Sequence, residues 1–251
     1  MFGLFGKPKP TCGVDEFTRE IIEQNFKWLT HTFGGDHLKS VKVLTPEYKD
    51  FPIRYDGSSK AAAQTLAIVA NQMQLNPEEI ELTIYEEGAQ EISTGGAFGN
   101  RLFTKQIDGE KYTGGLYWGK NEEDNKYHIG IEASKLKNPL SSVATLAHEM
   151  AHIKLLGEGR IKENNEPLTD LVTIVFGLGI FNANAAFQYN SGFDQWGWSK
   201  LGYLSQMEWG YALALFANIR GEEKPEWLSY INKNIKKDFS KNQQFLKQLE
   251  K

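Results

Sequence analysis

The chain has 251 residues, of which 40% are hydrophobic and 24% charged, and its formal net charge is −4. This composition is that of an ordinary soluble globular protein, long enough to bury a sizeable core. Acidic and basic residues are mixed along most of the sequence. We therefore expect no nucleic acid as a partner, because phosphate binding needs a basic face.

Three features of the sequence bear on the compartment. The only cysteine is Cys12, so no intrachain disulfide can form and a reducing environment suits the chain. The opening segment MFGLFGKPKP differs from a signal peptide because prolines and lysines interrupt its apolar residues. The longest apolar run, residues 171–181, is too short to span a bilayer. We expect a protein without a membrane span, in the cytoplasm of a bacterium-like cell.

The first predicted elements are two helices and a strand. Residues 15–32 have apolar side chains at near-helical spacing and stop at Gly34-Gly35, and a second helix is predicted over residues 58–74. Residues 80–85 alternate between apolar and polar, as a strand does. The glycine-rich segment 93–100 follows, and we predict a surface loop there because the Gly-Lys-Ser/Thr of a phosphate-binding loop is missing.

Three further strands are predicted before the chain becomes helical. Residues 101–107 and 112–118 flank Asp108-Gly109, a dipeptide typical of a hairpin turn. The next strand is predicted over residues 127–133, where apolar side chains again alternate.

After Pro139 the chain is mainly helical to its end. Because strands come first and helices second, we predict an α+β fold. The predicted helices cover residues 141–156, 166–187, 204–219 and 226–249.

No internal repeat or low-complexity linker divides the chain. We expect a flexible N-terminal tail over residues 1–14 and a single domain over residues 15–251. Within that domain, a strand-rich lobe covers about residues 36–140 and a helical lobe about residues 141–251.

The segment SSVATLAHEMAHIKLLGEGR contains a metal-binding pattern. His148 and His152 are four residues apart, so a helix places both on one face, where their nitrogens can approach one zinc ion at roughly 2.0–2.1 Å. Glu149 projects beside the metal and suits a general base that activates a metal-bound water. The alternative is a pair of core histidines around a solvated glutamate, although each histidine of a mostly apolar helix would then need a partner.

A catalytic zinc site needs a third protein ligand. The metzincin pattern requires glycine at position 155 and histidine or aspartate at 158, but this chain has Leu155 and Glu158, so Glu158 is not the preferred ligand. In NNEPLTDLVTIVFG, Glu166 opens a predicted helix and Asp170 follows four residues later on the same face. The alternative is that both acidic residues only stabilise a helix N-terminus.

The motif His-Glu-Met-Ala-His followed by Glu-Pro-Leu-Thr-Asp resembles the gluzincins, the thermolysin-like zinc peptidases. It is also similar to uncharacterised bacterial proteins with an HExxH helix. The resemblance implies a zincin-like fold, in which an N-terminal β-meander with helices precedes an active-site helix and a helical C-terminal half. It further implies that Glu166 is the third zinc ligand and that Asp170 holds a ligand histidine, His148, in position.

The resemblance covers residues 141 to about 179 and extends loosely upstream. It implies that the strand at residues 127–133 is an edge strand that holds extended substrate. No histidine follows His152, so the oxyanion-stabilising histidine of thermolysin-like enzymes is missing. A tyrosine would have to serve, and Tyr203 and Tyr211 are the candidates, although a place in the core accounts for either one as well.

The sequence thus predicts a zinc metallopeptidase that acts on a peptide or protein substrate with Zn²⁺ as its cofactor. One alternative is a non-catalytic, zinc-stabilised binding or regulatory protein that retains a zincin fold, and another is hydrolysis of a non-peptide amide. The short segment around Cys12 is similar to the inhibitory cysteine segment of matrix metalloproteinase propeptides, but no metzincin pattern accompanies it, so we favour a disordered tail cysteine without that role. Oligomeric state is left open.

Overall fold

The structure is a computed structural model that describes residues 10–86, 89–92, 102–105, 115–190 and 204–249. In these ranges the helices are α1 (Glu16–Phe33), α2 (Gly35–Ser40), α3 (Ser59–Gln72), α4 (Pro139–His152), α5 (Glu166–Val175), α6 (Gly179–Asn190), α7 (Gln206–Ile219) and α8 (Lys233–Leu249). The strands are β1 (Ile80–Tyr85), β2 (Ala89–Ile92), β3 (Leu102–Lys105), β4 (Gly115–Lys120) and β5 (Tyr127–Glu132). The predicted α+β class is confirmed.

The larger sheet has the strand order β1-β5-β4, with β5 parallel to β1 and antiparallel to β4. The predicted strand at residues 127–133 is therefore the central strand, and its predicted role as a substrate-holding edge strand is wrong. Ile129 and Ile131 are fully buried, and Gly130 and Glu132 between and beside them are buried as well. Alternation alone did not reveal that both faces of this strand are covered.

The turn predicted at Asp108-Gly109 and the loop predicted at residues 93–100 both lie outside the described residues. Each of the two predicted flanking strands has another partner among the described strands. β3 pairs with β2 in a separate antiparallel ribbon, and β4 pairs with β5.

Local signals explain where several helices begin and end. The Asp15 side chain accepts a hydrogen bond from Thr18 N at the start of α1, and Ser58 does the same for Ala61 N at the start of α3. Asn138 accepts from the backbone at the start of α4, where Pro139 occupies the first helical position. α4 continues after His152 as a single π-helical turn, Ile153–Gly157.

The predicted helix at residues 166–187 is two helices, α5 and α6. The break occurs at Gly177, whose φ is +75° and where a Cβ atom would lie 2.2 Å from the carbonyl oxygen of Lys42. Only glycine accepts both conditions without strain. The last predicted helix is also interrupted, because Glu226–Tyr230 forms a 3-10 turn before α8.

α4 crosses the hydrophobic core and positions the candidate site. Its main contacts among the described elements are with the helices α3, α5 and α6 and with the strands β4 and β5. Most of its residues are buried, among them Leu146, Ala147 and Met150. Within the described ranges, no helix combines the length and the apolar character needed to cross a bilayer.

The end of the predicted N-terminal tail packs against the domain. Gly13 N donates a hydrogen bond of 2.6 Å to Asn242 Oδ1 of α8. Cys12 and Val14, on either side of it, pack against the core. Residues 12–14 of the expected tail therefore contact the folded domain.

Candidate metal centre

The structure brings the two histidines of α4 and the first residue of α5 together. The His148 and His152 rings lie 5.0 Å apart between centroids and are nearly perpendicular, at 84°. Glu166 Oε2 lies 3.0 Å from His148 Nε2 and 3.5 Å from His152 Nε2. One carboxylate oxygen thus faces both ring nitrogens.

These distances can be compared with the dimensions of a zinc site. Ligand bonds of 2.0–2.1 Å in a tetrahedron separate the ligand atoms by roughly 3.3 Å. The two nitrogen–oxygen distances bracket that value, and all three donor atoms lie within 4.8 Å of one another. Two imidazoles and one carboxylate are also a donor set that zinc accepts, so the residues fit the ion in number, type and spacing.

The N-terminus of α5 fixes the orientation of Glu166. Asn165 caps the helix by accepting a hydrogen bond from Leu168 N, and Pro167 lies in the first turn. Asn164 Nδ2 donates a 2.7 Å hydrogen bond to Glu166 Oε1. With Oε1 engaged by Asn164, Oε2 is the oxygen turned toward the histidines.

Asp170 holds His148 from the opposite side of the ring. His148 Nδ1 donates a 3.0 Å hydrogen bond to Asp170 Oδ1, which leaves Nε2 directed at Glu166. Asp170 Oδ2 accepts a 3.2 Å hydrogen bond from Leu204 N, and the aspartate is only 1% exposed. A buried carboxylate in this position fixes the ring orientation of the histidine and raises its basicity.

His148 and Glu166 shift each other's pKa. Burial lowers the pKa of His148, but the hydrogen bonds with Asp170 and Glu166 outweigh it and hold that pKa well above its usual 6.5. Burial raises the pKa of Glu166, but the hydrogen bonds with His148 and His152 reverse this and hold it far below its usual value. Both shifts favour an ion pair between the His148 imidazolium and the Glu166 carboxylate, whose Nε2 and Oε2 atoms lie 3.0 Å apart.

Glu149 is 3% exposed and lies under β4. A Cβ atom on Gly115 would lie 2.3 Å from Glu149 Oε1, so only glycine lets the strand approach this closely. Burial raises the pKa of the Glu149 carboxyl, while the charges of His148 and His152 oppose the increase. A raised carboxyl pKa brings the group nearer to the range in which an acid–base catalyst works.

Two tyrosines near the end of α4 were not predicted from the sequence, and one of them contacts His152. The Tyr117 ring of β4 stacks on His152, with centroids 5.8 Å apart and planes 15° from parallel. Tyr127 OH, on β5, donates to the Gly157 carbonyl oxygen at 3.2 Å. Burial, together with Tyr127, raises the pKa of Tyr117 to about 12, so its hydroxyl stays protonated. Alternation places Gly115 and Tyr117 on one face of β4, but only the packing of β4 on α4 would have indicated their role.

The remaining predicted residues lie elsewhere. Tyr211 is fully buried and its hydroxyl donates to Glu23 of α1 at 2.6 Å, so the structure pairs it with that acceptor and not with the histidines. Tyr203 lies outside the described residues. Glu158 forms ion pairs with Lys154 and Arg160.

Cys12 lies beside α8 and not at the metal centre. Its sulfur is 3.9 Å from Asn242 Oδ1. This position agrees with the favoured interpretation of Cys12 as a tail cysteine without an inhibitory role at the metal.

Comparisons with known proteins do not assign the chain to a family. A scan against family models, a search of curated protein sequences and a search of solved structures each found no match.

Proposed function

We propose that this chain is a zinc-dependent peptidase with a zincin-like fold. The observation that carries the proposal is the position of Glu166 Oε2, 3.0 Å and 3.5 Å from the Nε2 atoms of His148 and His152. Asp170 on the far side of His148 supports it, because a histidine that binds a metal commonly donates its other ring N–H to a carboxylate. Glu149, next to the first ligand, supplies the acid–base group.

The residues have distinct roles in the proposed reaction. His148, His152 and Glu166 hold the ion, which when bound supplies a Lewis acid and lowers the pKa of water to about 7. Glu149 accepts the proton of the attacking water and then delivers it to the departing amine. β4 is the strand that lies against Glu149, so we assign the positioning of extended substrate to β4 in place of β5.

Metal analysis and two substitutions test the proposal. The purified chain is expected to contain one zinc per molecule and to cleave an unstructured protein such as casein. Glu149→Gln keeps the zinc and abolishes cleavage, whereas His152→Ala loses both. Glu163→Gln, a solvent-exposed neighbour, serves as the matched control and leaves both unchanged. A folded wild type without stoichiometric zinc would exclude the proposal.

A second candidate is a zinc-stabilised binding or regulatory protein without catalysis. The near-complete burial of Glu149 favours it, because a substrate carbonyl must reach the neighbourhood of that carboxylate. In this case zinc contributes folding energy, and Glu149→Gln leaves the biological activity intact. Cleavage of small acyl amides without cleavage of casein would instead indicate a non-peptide amidase.

We also propose that the chain functions in the cytoplasm of a bacterium-like cell. A single free cysteine suits the reducing cytoplasm of a bacterium-like cell. Fractionation of cells that express the full-length chain tests this, and recovery from the membrane or the medium would contradict it.

A further inference from the structure

The two ligand histidines are held in different ways. His148 Nδ1 bonds to Asp170, which fixes the ring about its last side-chain torsion. His152 is 5% exposed, and its Nδ1 has no hydrogen-bond partner among the described residues. A ligand imidazole without such a partner needs another contact to hold its plane.

Tyr117 supplies a contact of that kind. Its ring lies nearly parallel to the His152 ring, with 15° between the planes and 5.8 Å between the centroids. A flat contact of two rings resists rotation of either one, and aromatic pairs contribute beyond their buried area. The contact leaves His152 Nε2 directed toward Glu166 Oε2.

The surroundings of Tyr117 fix it in turn. A Cβ atom on Gly157 would lie 2.9 Å from the Tyr117 hydroxyl oxygen and 2.7 Å from Tyr127 Cε1, so glycine makes room for both rings over the π-helical turn. Tyr127 also bonds to the Gly157 carbonyl oxygen. The two aromatic residues therefore connect the sheet to the end of α4.

We propose that Tyr117 is a positioning residue that orients the His152 imidazole for metal binding by ring stacking. The inference rests on the proposed zinc site and adds to it a residue from the strand-rich half of the chain. The aromatic ring carries the effect, and the hydroxyl does not.

Zinc titration of the full chain against a chromophoric chelator tests the inference. Tyr117→Leu is expected to weaken zinc binding about tenfold or more, the range seen when the outer support of a ligand is removed. Tyr117→Phe keeps the ring and is expected to retain wild-type affinity. Tyr127→Phe removes the bond to Gly157 without touching His152 and serves as the matched control, also at wild-type affinity. The visible spectrum of the cobalt-substituted protein should change in the leucine variant alone.

The outcomes separate this inference from the proposed function. Wild-type affinity in a folded Tyr117→Leu variant would overturn the positioning role and leave the zinc site intact. Weakening in Tyr117→Phe equal to that in Tyr117→Leu would overturn the stacking explanation. A wild type that binds no zinc would end both proposals.

The leucine variant could fail to fold, which circular dichroism would reveal. In that case the NMR chemical shifts of the His152 ring protons in the wild type test the stacking, after their assignment by comparison with a His152→Gln variant. They are expected to be shifted upfield by the tyrosine ring in the wild type and in Tyr117→Phe. Unshifted resonances would overturn the inference.

Discussion

Substitution of Asp170 by asparagine is expected to weaken zinc binding and to lower the free energy of unfolding, and the two effects can be measured separately. Among the described residues, Asp170 accepts hydrogen bonds from His148 Nδ1 at 3.0 Å and from Leu204 N at 3.2 Å. An amide of the same shape offers one acceptor oxygen, so one of the donors would face an NH₂ group. Because the aspartate is 1% exposed, no water replaces the missing acceptor.

The magnitude follows from the two roles of the carboxylate. Loss of the partner of a ligand histidine weakens metal affinity about 10- to 100-fold. This corresponds to about 1.4–2.8 kcal/mol of binding free energy. The unpaired buried donor lowers the free energy of unfolding by about 1–3 kcal/mol even without metal.

Two measurements separate these effects. Zinc affinity is obtained by chelator competition, and the free energy of unfolding by urea titration in the presence of a chelator. Asp50→Asn is the matched control, because Asp50 is also buried and accepts hydrogen bonds from Thr45, away from the histidines. Asp50→Asn should lower stability and leave zinc affinity unchanged. If Asp170→Asn lost stability but bound zinc like the wild type, Asp170 would have no role in the metal site.

Three further predictions concern the site and its surroundings. Gly115→Ala should keep zinc but reduce casein cleavage at least about tenfold, because its Cβ would displace Glu149. Because the pKa of His148 is higher in the folded chain, its protonation contributes to the free energy of unfolding of the metal-free chain. This contribution is complete below about pH 6.5 and is lost as the pH rises through the folded pKa, which urea unfolding between about pH 5 and pH 9 measures. Tyr211→Phe should cost about 1 kcal/mol of stability, seen in urea unfolding, and leave zinc content unchanged, since its hydroxyl bonds to Glu23.

The local patterns of the sequence predicted the starts of several helices and the first strand. Caps and turn residues are short-range signals, so α1 and α4 begin within two residues of their predicted starts, and β1 coincides with the predicted strand. The four-residue spacings of His148–His152 and Glu166–Asp170 each define one helix face, and the structure turns these two faces toward each other.

Features that depend on long-range packing could not be predicted. The central position of β5 follows from its parallel pairing with β1, which alternation does not encode. The break at Gly177 depends on the approach of Lys42, a residue far away in sequence. Tyr117 was missed for the same reason, because its importance arises only where β4 crosses α4.

The short separation of the metal-site residues along the chain has a consequence for folding. Glu166 is 18 residues from His148, and Asp170 is 22 residues from it. The entropy lost on closing a loop grows slowly with length, by about 0.6 kcal/mol for each doubling, so short loops close at low cost and quickly. The donors on α4 and α5 can therefore be brought together at a small entropic cost, so an ion bound there as proposed would tie α4 to α5 without the closure of a long loop.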